Sequence, residues 1–310
     1  MSLVEITLEG QRNKVQQAIS LLKDLEPHEG YYLAFSGGKD SCVVKALCDM
    51  AEVKYDAHYS VTSVDPPELV RFIRKYHPDV SFDIPHYKDG KPATMWNLIP
   101  RKKMPPTRLI RYCCAVLKET QGKGRTVLTG VRRAESVRGA KRAGVIQVNG
   151  TKKNIKIAEE MGVEPDKYGN IVFNEDNAES RVFLERCIRT GKIMVNPIVT
   201  WTDEDIWEFI KTHNLPYCEL YDKGYKRLGC IGCPMNTHAA EGLEAYPKYK
   251  TAYLKAFGRM LETLEGTQGW KTPEDVMDWW LKKEKPNINA DIEEIEMLDD
   301  ETPLVGGDNT

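Results

Sequence analysis

Nowhere in these 310 residues does an apolar run approach the roughly 20 residues that a bilayer-spanning helix needs. Residues 1–23 intersperse charged with apolar side chains, unlike the uninterrupted apolar core of a signal peptide. A cytoplasmic protein with no membrane association is therefore expected. No cysteine follows Cys233, and after Lys285 there is neither a basic nor an aromatic residue. Eight acids with no counter-charge cannot build a core, so residues 286–310 are read as a disordered or partner-binding tail. No internal repeat is present, which excludes a solenoid.

The composition is 41% hydrophobic and 29% charged, enough for one substantial core and a smaller appended unit. The net charge of -2 hides an asymmetry, because the acidic tail masks a basic remainder. Within 101–142 there are 13 Lys or Arg against only Glu119 and Glu135. Such a field favours a polyphosphate or nucleic-acid ligand over an acidic-site chemistry; a solvated basic face is the plainer alternative.

The periodicity alternates. Residues 4–25 carry Val15, Ala18, Ile19 and Leu22 at helical spacing, giving an N-terminal helix within 1–28. Residues 31–35 form a short apolar run, followed after two glycines by Val43, Val44, Leu47 and Met50 at helical spacing: strand, turn, helix. Residues 57–64 and 68–76 repeat the pattern, and 127–129 and 194–198 supply further extended pieces. Residues 144–180, polar and in places glycine-rich, look like an insertion. A helix over 202–212 starts at the cap candidate Thr202 with Asp203, Glu204 and Asp205 in its first turn. The expectation is an α/β fold, a parallel twisted sheet with helices on both faces over 29–234, followed by a helical extension over 235–285.

Ser36-Gly37-Gly38-Lys39-Asp40-Ser41 lies where a buried strand hands over to a helix. Backbone N–H groups at that helix N-terminus face the carboxyl edge of the sheet and form an anion site. Glycines let the chain approach phosphate, Ser36 and Ser41 add hydroxyls, and Lys39 adds a charge. Neither the Walker A spacing nor G-x-G-x-x-G fits, since Leu33 stands where the first Walker glycine would be. Cys113-Cys114 and Cys230-x-x-Cys233 each sit beside basic residues, which favours thiolates. Side chains on adjacent residues point apart, so Cys113 and Cys114 suit one tetrahedral zinc poorly and a cluster of several irons better. Cluster, zinc and plain buried thiols remain open, in that order. Cys42, Cys48, Cys187 and Cys218 have no such partners and read as core or surface residues.

The Ser-Gly-Gly-x-Asp-Ser string resembles the PP-loop of the adenine nucleotide alpha-hydrolases, which grip the phosphates of ATP or a sulfonucleotide. Gly130-Val131-Arg132-Arg133-Ala134-Glu135-Ser136-Val137-Arg138 is similar to the Gly-x-Arg-Arg-x-Glu-Ser-x-x-Arg loop of the phosphoadenosine phosphosulfate (PAPS) reductase family, with the last spacing one residue short. Asn196-Pro197-Ile198, 201–207, 215–217 and 220–225 continue the match toward Cys230. The resemblance implies a nucleotide site made of Ser36, Gly37, Gly38, Lys39, Asp40, Ser41, Asp65, Gly130, Arg132, Arg133, Glu135, Ser136 and Arg138. Lys39, Asp40 and Arg132 would be catalytic, with Mg on the phosphates met by Asp40 or Asp65. It also implies that Cys113, Cys114, Cys230 and Cys233 hold a 4Fe-4S cluster, as in the adenosine phosphosulfate (APS) reductases.

The departure is informative. The reductases of this family use a cysteine in a Glu-Cys-Gly-x-His motif near the C-terminus, and none follows Cys233 here. The expected activity is therefore ATP pyrophosphatase-type adenylation supporting sulfur transfer, similar to the PP-loop enzymes of DNA phosphorothioation and tRNA thiolation. A nucleic-acid acceptor and a sulfur donor protein would be the partners. A sulfonucleotide reductase and a non-catalytic nucleotide-binding iron-sulfur protein are the alternatives.

Overall fold

The computed structural model describes residues 3–7, 10–135, 143–166, 169–187, 192–264 and 269–282. The described residues form two compact units, neither continuous in sequence: those within 3–59, 71–81 and 122–226 make the first, and those within 60–70, 82–121 and 227–282 the second.

The first unit opens with a two-stranded antiparallel hairpin, β1 (Val4–Thr7) and β2 (Gly10–Asn13). The helix expected from residue 4 begins only at α1 (Lys14–Asp24), where the Asn13 side chain accepts from the N–H groups of Val15 and Gln16. All four apolar positions that carried the helical period lie after that cap, so the period said nothing about 4–13.

Seven strands make the main sheet: β3 (Tyr31–Ala34), β4 (Tyr55–Ser60), β5 (Ser81–Asp83), β6 (Thr126–Leu128), β7 (Ile146–Val148), β8 (Ile171–Phe173) and β9 (Ile193–Val195), in the order β5-β4-β3-β6-β9-β7-β8. The pairs β3 with β4, β3 with β6, and β6 with β9 are parallel, with Leu33 opposite both Ala57 and Leu128, and Leu128 opposite Val195. Such central strands read as apolar on both faces because both are covered. The sheet is nevertheless mixed: β7 pairs antiparallel with β9 and with β8. Both come from the segment expected to be an insertion. Ile146, Val148, Ile171 and Phe173 are its inward positions, and a three-residue strand is too short to show its period.

Parallel pairing has one consequence for function. The chain leaves β3, β6 and β9 at the same carboxyl edge, so residues 36–41, 130–133 and 196–203 converge there. From that edge α2 (Lys39–Ala51) and α8 (Asp203–Thr212) start. The Thr202 side chain accepts from the N–H of Asp205, and Asp205 accepts from that of Thr202, a reciprocal cap that fixes where α8 begins. Lys14 of α1 meets Asp205 at 2.7 Å in a buried ion pair that ties α1 to this start. Also described are α3 (Pro67–Tyr76), which runs from the second unit into the first, and, in the first unit, α6 (Lys152–Glu160) and α7 (Ala178–Arg186).

The second unit is helical: α4 (Met95–Arg101), α5 (Tyr112–Leu117), α9 (Ala239–Ala245), α10 (Pro247–Thr263) and α11 (Pro273–Lys282). Tyr253, Phe257 and Trp280 form its aromatic centre with Val64, Ile99 and Ile231. Fully burying one such large side chain stabilises by about 1.5–3 kcal/mol. Buried polar ends are satisfied: the Tyr253 hydroxyl donates to the Ile231 carbonyl at 3.0 Å, and the Trp280 indole N–H to that of Pro106 at 2.7 Å. The helices expected over 235–285 lie in this unit, while 286–310 lies outside the described residues.

Candidate nucleotide site and cysteine group

The loop after β3 turns at Gly37, whose φ of 71° is in the region open to glycine. Gly38 caps α2 without any side-chain hydrogen bond to the helix. Its N–H donates to Ser36 Oγ at 3.3 Å, Ser36 Oγ to Ser41 Oγ at 3.1 Å, and Ser41 Oγ to the Gly38 carbonyl at 2.9 Å. The two hydroxyls thus brace the loop from inside. Gly130, just after β6, packs on the first turn of α2: a Cβ there would lie 3.1 Å from the backbone of Asp40 and 3.2 Å from the nitrogen of Ser41. A side chain there would press the first turn of α2 back by a few tenths of an ångström, so glycine lets the strand end that carries Arg132 sit against the loop.

Arg132 and Lys39 are the buried cations of the site, 2% and 4% exposed. The Arg132 Nε donates to Asp40 Oδ1 at 2.6 Å, one terminal nitrogen to Asp203 Oδ1 at 2.7 Å, and the other to the Trp201 carbonyl at 3.2 Å. Lys39 Nζ lies 3.2 Å from Asp40 Oδ2 and 3.3 Å from Asp203 Oδ1. Two cations and two carboxylates therefore form one network over the helix N-terminus. Burial disfavours charge on Arg132, but Asp40 and Asp203 outweigh it and raise its pKa. Burial pushes the Asp203 carboxyl up, and the hydrogen bonds and charges of Arg132 and Lys39 hold it below its ordinary value.

Asp203 and Tyr221 belong to this site, and the sequence reading had not placed them there. Asp203 was read as a helix-dipole residue, and Tyr221 only as part of a matching string. The Lys39 backbone N–H donates to the Tyr221 hydroxyl at 2.9 Å. Tyr221 and Tyr217 both pack edge-on to Trp207 at 5.3 Å, and Trp201 packs edge-on to Phe209 at 5.6 Å.

Arg133 points elsewhere: its guanidinium donates to the Ala143 carbonyl at 2.9 Å and to Asn174 Oδ1 at 2.8 Å. It braces the 143–174 segment and does not join the cation network. Glu135 ends a short 3-10 turn, and Ser136 and Arg138 lie outside the described residues. Asp65 is in the second unit, where its carboxylate accepts the Thr62 N–H at 3.0 Å.

Cys113, Cys114, Cys230 and Cys233 all lie in the second unit, each half-buried. The Cys113 thiol hydrogen-bonds Cys114 and feels the charges of Cys114, Cys230 and Cys233, which with burial push it far up. The hydrogen bond from Cys113 and the hydrogen bond and charge of Arg111 lower the Cys114 thiol against its burial. Burial raises Cys230 against the opposing charge of Lys118. For Lys118, Cys230, Asp65 and Cys114 together overcome the desolvation that would lower it. Among the described residues no group of three or more His, Cys, Asp or Glu is gathered to hold a single metal ion. Of the other cysteines, Cys42, Cys48, Cys187 and Cys218 are all buried; Cys218 is 0% exposed and Cys187, 7% exposed, donates to the Leu184 carbonyl.

A glycine loop between parallel strand and helix, braced by serines and flanked by buried cations, defines a PP-loop nucleotide-binding α/β protein. The family model for the phosphoadenosine phosphosulfate reductase domain matches residues 30–236, and the chain belongs to that family. An uncharacterised protein of Methanocaldococcus jannaschii is 25% identical over 269 residues, covering 84% of this chain and 54% of that protein. An adenosine 5'-phosphosulfate reductase of Oceanobacillus iheyensis is 49% identical over 51 residues, 16% of this chain and 21% of the enzyme. The chain thus spans about half the length of the first relative and about a fifth of the second. Among solved structures, the PAPS reductase of Candida auris in its phosphate complex covers 73% of this chain and 96% of its own, at 17% identity and a TM-score of 0.39. The U34-tRNA thiolase NcsA of Methanococcus maripaludis, with its 4Fe-4S cluster, covers 90% and 84% at 12% identity and a TM-score of 0.36. Likeness at this level extends to neither chemistry nor ligand. No described helix is long and apolar enough to cross a membrane.

Proposed function

We propose that this chain is an ATP pyrophosphatase-type enzyme that adenylylates an acceptor in support of sulfur transfer. The observation that carries the reading is the pair of buried cations, Lys39 and Arg132, held at the N-terminal turn of α2 at the carboxyl edge of the sheet. An acceptor oxygen attacks the alpha-phosphorus of ATP; the new phosphorus–oxygen bond forms as the bond to the bridging oxygen breaks, and pyrophosphate leaves with the electron pair. The loop amides, Lys39 and Arg132 stabilise the charge that develops on the phosphates. Mg bound to the phosphates would add to that, with Asp40 as its carboxylate on the loop. A sulfide-level sulfur nucleophile supplied by a donor protein then attacks the activated centre of the acceptor; its bond to sulfur forms as its bond to the adenylylated oxygen breaks, and AMP leaves with that oxygen and the electron pair. The basic stretch over 101–142 suits a nucleic-acid acceptor.

The four thiols lie in one unit, and Cys113 feels the charges of Cys114, Cys230 and Cys233. Adjacent cysteines are awkward ligands for one tetrahedral zinc, whereas a cluster can take each thiolate on a different iron. Cys113, Cys114, Cys230 and Cys233 would hold it, and Arg111 and Lys118 would offset its negative charge. When bound, such a cluster supplies a sulfur- or electron-handling centre.

A sulfonucleotide reductase is the second reading, favoured by the family and by the short stretch shared with APS reductases. It needs an accessible thiolate to take up sulfite, and the cysteines of the first unit, Cys42, Cys48, Cys187 and Cys218, are all buried. The two readings separate by product. With ATP and Mg the full chain should form AMP and pyrophosphate, faster with nucleic acid present, and should release no sulfite from APS or PAPS with thioredoxin. Thioredoxin-dependent sulfite that survives Cys187→Ser and Cys218→Ser would establish the reductase instead.

A further inference from the structure

Both buried cations of this loop and the first amide of α2 are already engaged by the protein's own oxygen atoms. The Asp203 carboxylate takes Arg132 at 2.7 Å and Lys39 Nζ at 3.3 Å. The Tyr221 hydroxyl takes the first amide of α2, the Lys39 N–H, at 2.9 Å. These two side chains come from one packed segment: Asp203 begins α8, Trp207 lies a turn further on, and Trp207 packs edge-on against Tyr221.

The members of the network are unequal. Arg132 and Lys39 are buried and cannot turn to water. The Asp40 side chain, 19% exposed, is pinned on the first turn of α2, where its negative charge also suits the helix end. The Asp203 side chain is 63% exposed, so it is the one charged partner that can swing into solvent at low cost. The cations then keep one carboxylate, Asp40, and are short of one negative charge, which a phosphate supplies.

We infer that Asp203 and Tyr221 act as a built-in stand-in for the nucleotide's phosphates, occupying the anion positions until a polyphosphate displaces them, so that they set the concentration at which nucleotide is admitted. This rests on the reading of the loop as the phosphate site. The physical effect is that of a competing closed state: apparent affinity falls by the fraction of molecules in which the site is already filled. Asp203 is a positioning residue here, acting through Arg132 and Lys39.

Calorimetric titration of the full chain with inorganic pyrophosphate tests this. Asp203→Asn and Tyr221→Phe should each bind pyrophosphate roughly three- to tenfold more tightly than wild type, the range for releasing one partly exposed hydrogen-bonded contact. Asp203→Glu, which keeps the charge, should return affinity toward wild type. Glu204→Gln removes the same charge one residue away, outside the network, and should change affinity far less. Equal or weaker binding by Asp203→Asn and Tyr221→Phe would overturn the inference, as would an equal gain from Glu204→Gln, which would reduce the effect to general electrostatics. Should Asp203→Asn fail to fold, as judged by its thermal midpoint, Tyr221→Phe decides alone. Arg132→Ala and Lys39→Ala distinguish the two levels: if they bind pyrophosphate as wild type does, the phosphate-site reading itself fails.

Discussion

Replacing Arg132 by alanine removes a buried side chain that ties the loop at 36–41 to the start of α8. Its guanidinium makes three hydrogen bonds, two of them to carboxylates at 2.6 and 2.7 Å. Breaking a fully buried ion pair costs about 3–5 kcal/mol because a charge is stranded. Here Lys39 remains within 3.3 Å of both acids, and the Asp203 side chain can turn to water. The stability loss should therefore fall to about 2 kcal/mol, leaving a folded protein. For ATP the variant lacks the guanidinium proposed to bind phosphate, an expected loss of about 1–3 kcal/mol, or roughly 5- to 150-fold in Kd. Urea midpoints and calorimetry with ATP measure the two effects separately. Arg133→Ala serves as the comparison, since Arg133 engages Ala143 and Asn174 and should affect ATP binding little. A folded Arg132→Ala that binds ATP as wild type does, or an Arg133→Ala with the larger defect, would refute the reasoning.

Anaerobically purified protein should be brown with about four irons per chain, and Cys230→Ser should bleach it, as read by absorbance and iron analysis; a colourless protein with one stoichiometric zinc would contradict the cluster. Because the Asp203 carboxyl is held below its ordinary value, the stability it contributes is complete above the unfolded value of about 3.9 and is lost as pH falls through the folded one. The difference in urea midpoint between wild type and Asp203→Asn should thus be constant above about pH 5 and shrink below about pH 4; a difference that grows on acidification would contradict the pairing.

What the sequence revealed depended on how local the signal was. The loop at 36–41 and the Thr202 cap are defined by neighbours in sequence, so the strand, the glycines and the capping residues announced them. Arg132 was legible because Gly130 and the following arginines form one string. Asp203 and Tyr221 were not, because they reach the loop only through the pairing of β6 with β9 and the packing on Trp207. Arg133 sits in the same string as Arg132 but faces the other way, and no local pattern records which of two adjacent guanidiniums turns inward. β7 and β8 escaped because three residues hold little more than one period of alternation, and the β1–β2 hairpin because the helical positions after Asn13 dominated the window. The grouping of all four cysteines in one unit likewise depends on the chain from 227 onward joining 60–70 and 82–121 after the intervening residues 122–226 have joined the other unit.

Turnover of ATP in 18O-labelled water tests most directly whether attack falls on the alpha-phosphorus. Without its acceptor the enzyme should use water slowly as the nucleophile, because the phosphates are held in place while the attacking oxygen is not. Mass spectrometry should then find one heavy oxygen in AMP and none in the pyrophosphate released from wild type, with the rate sharply reduced in Lys39→Ala. Label in pyrophosphate, or ADP with labelled inorganic phosphate, would place the attack on another phosphorus and contradict the proposed reaction.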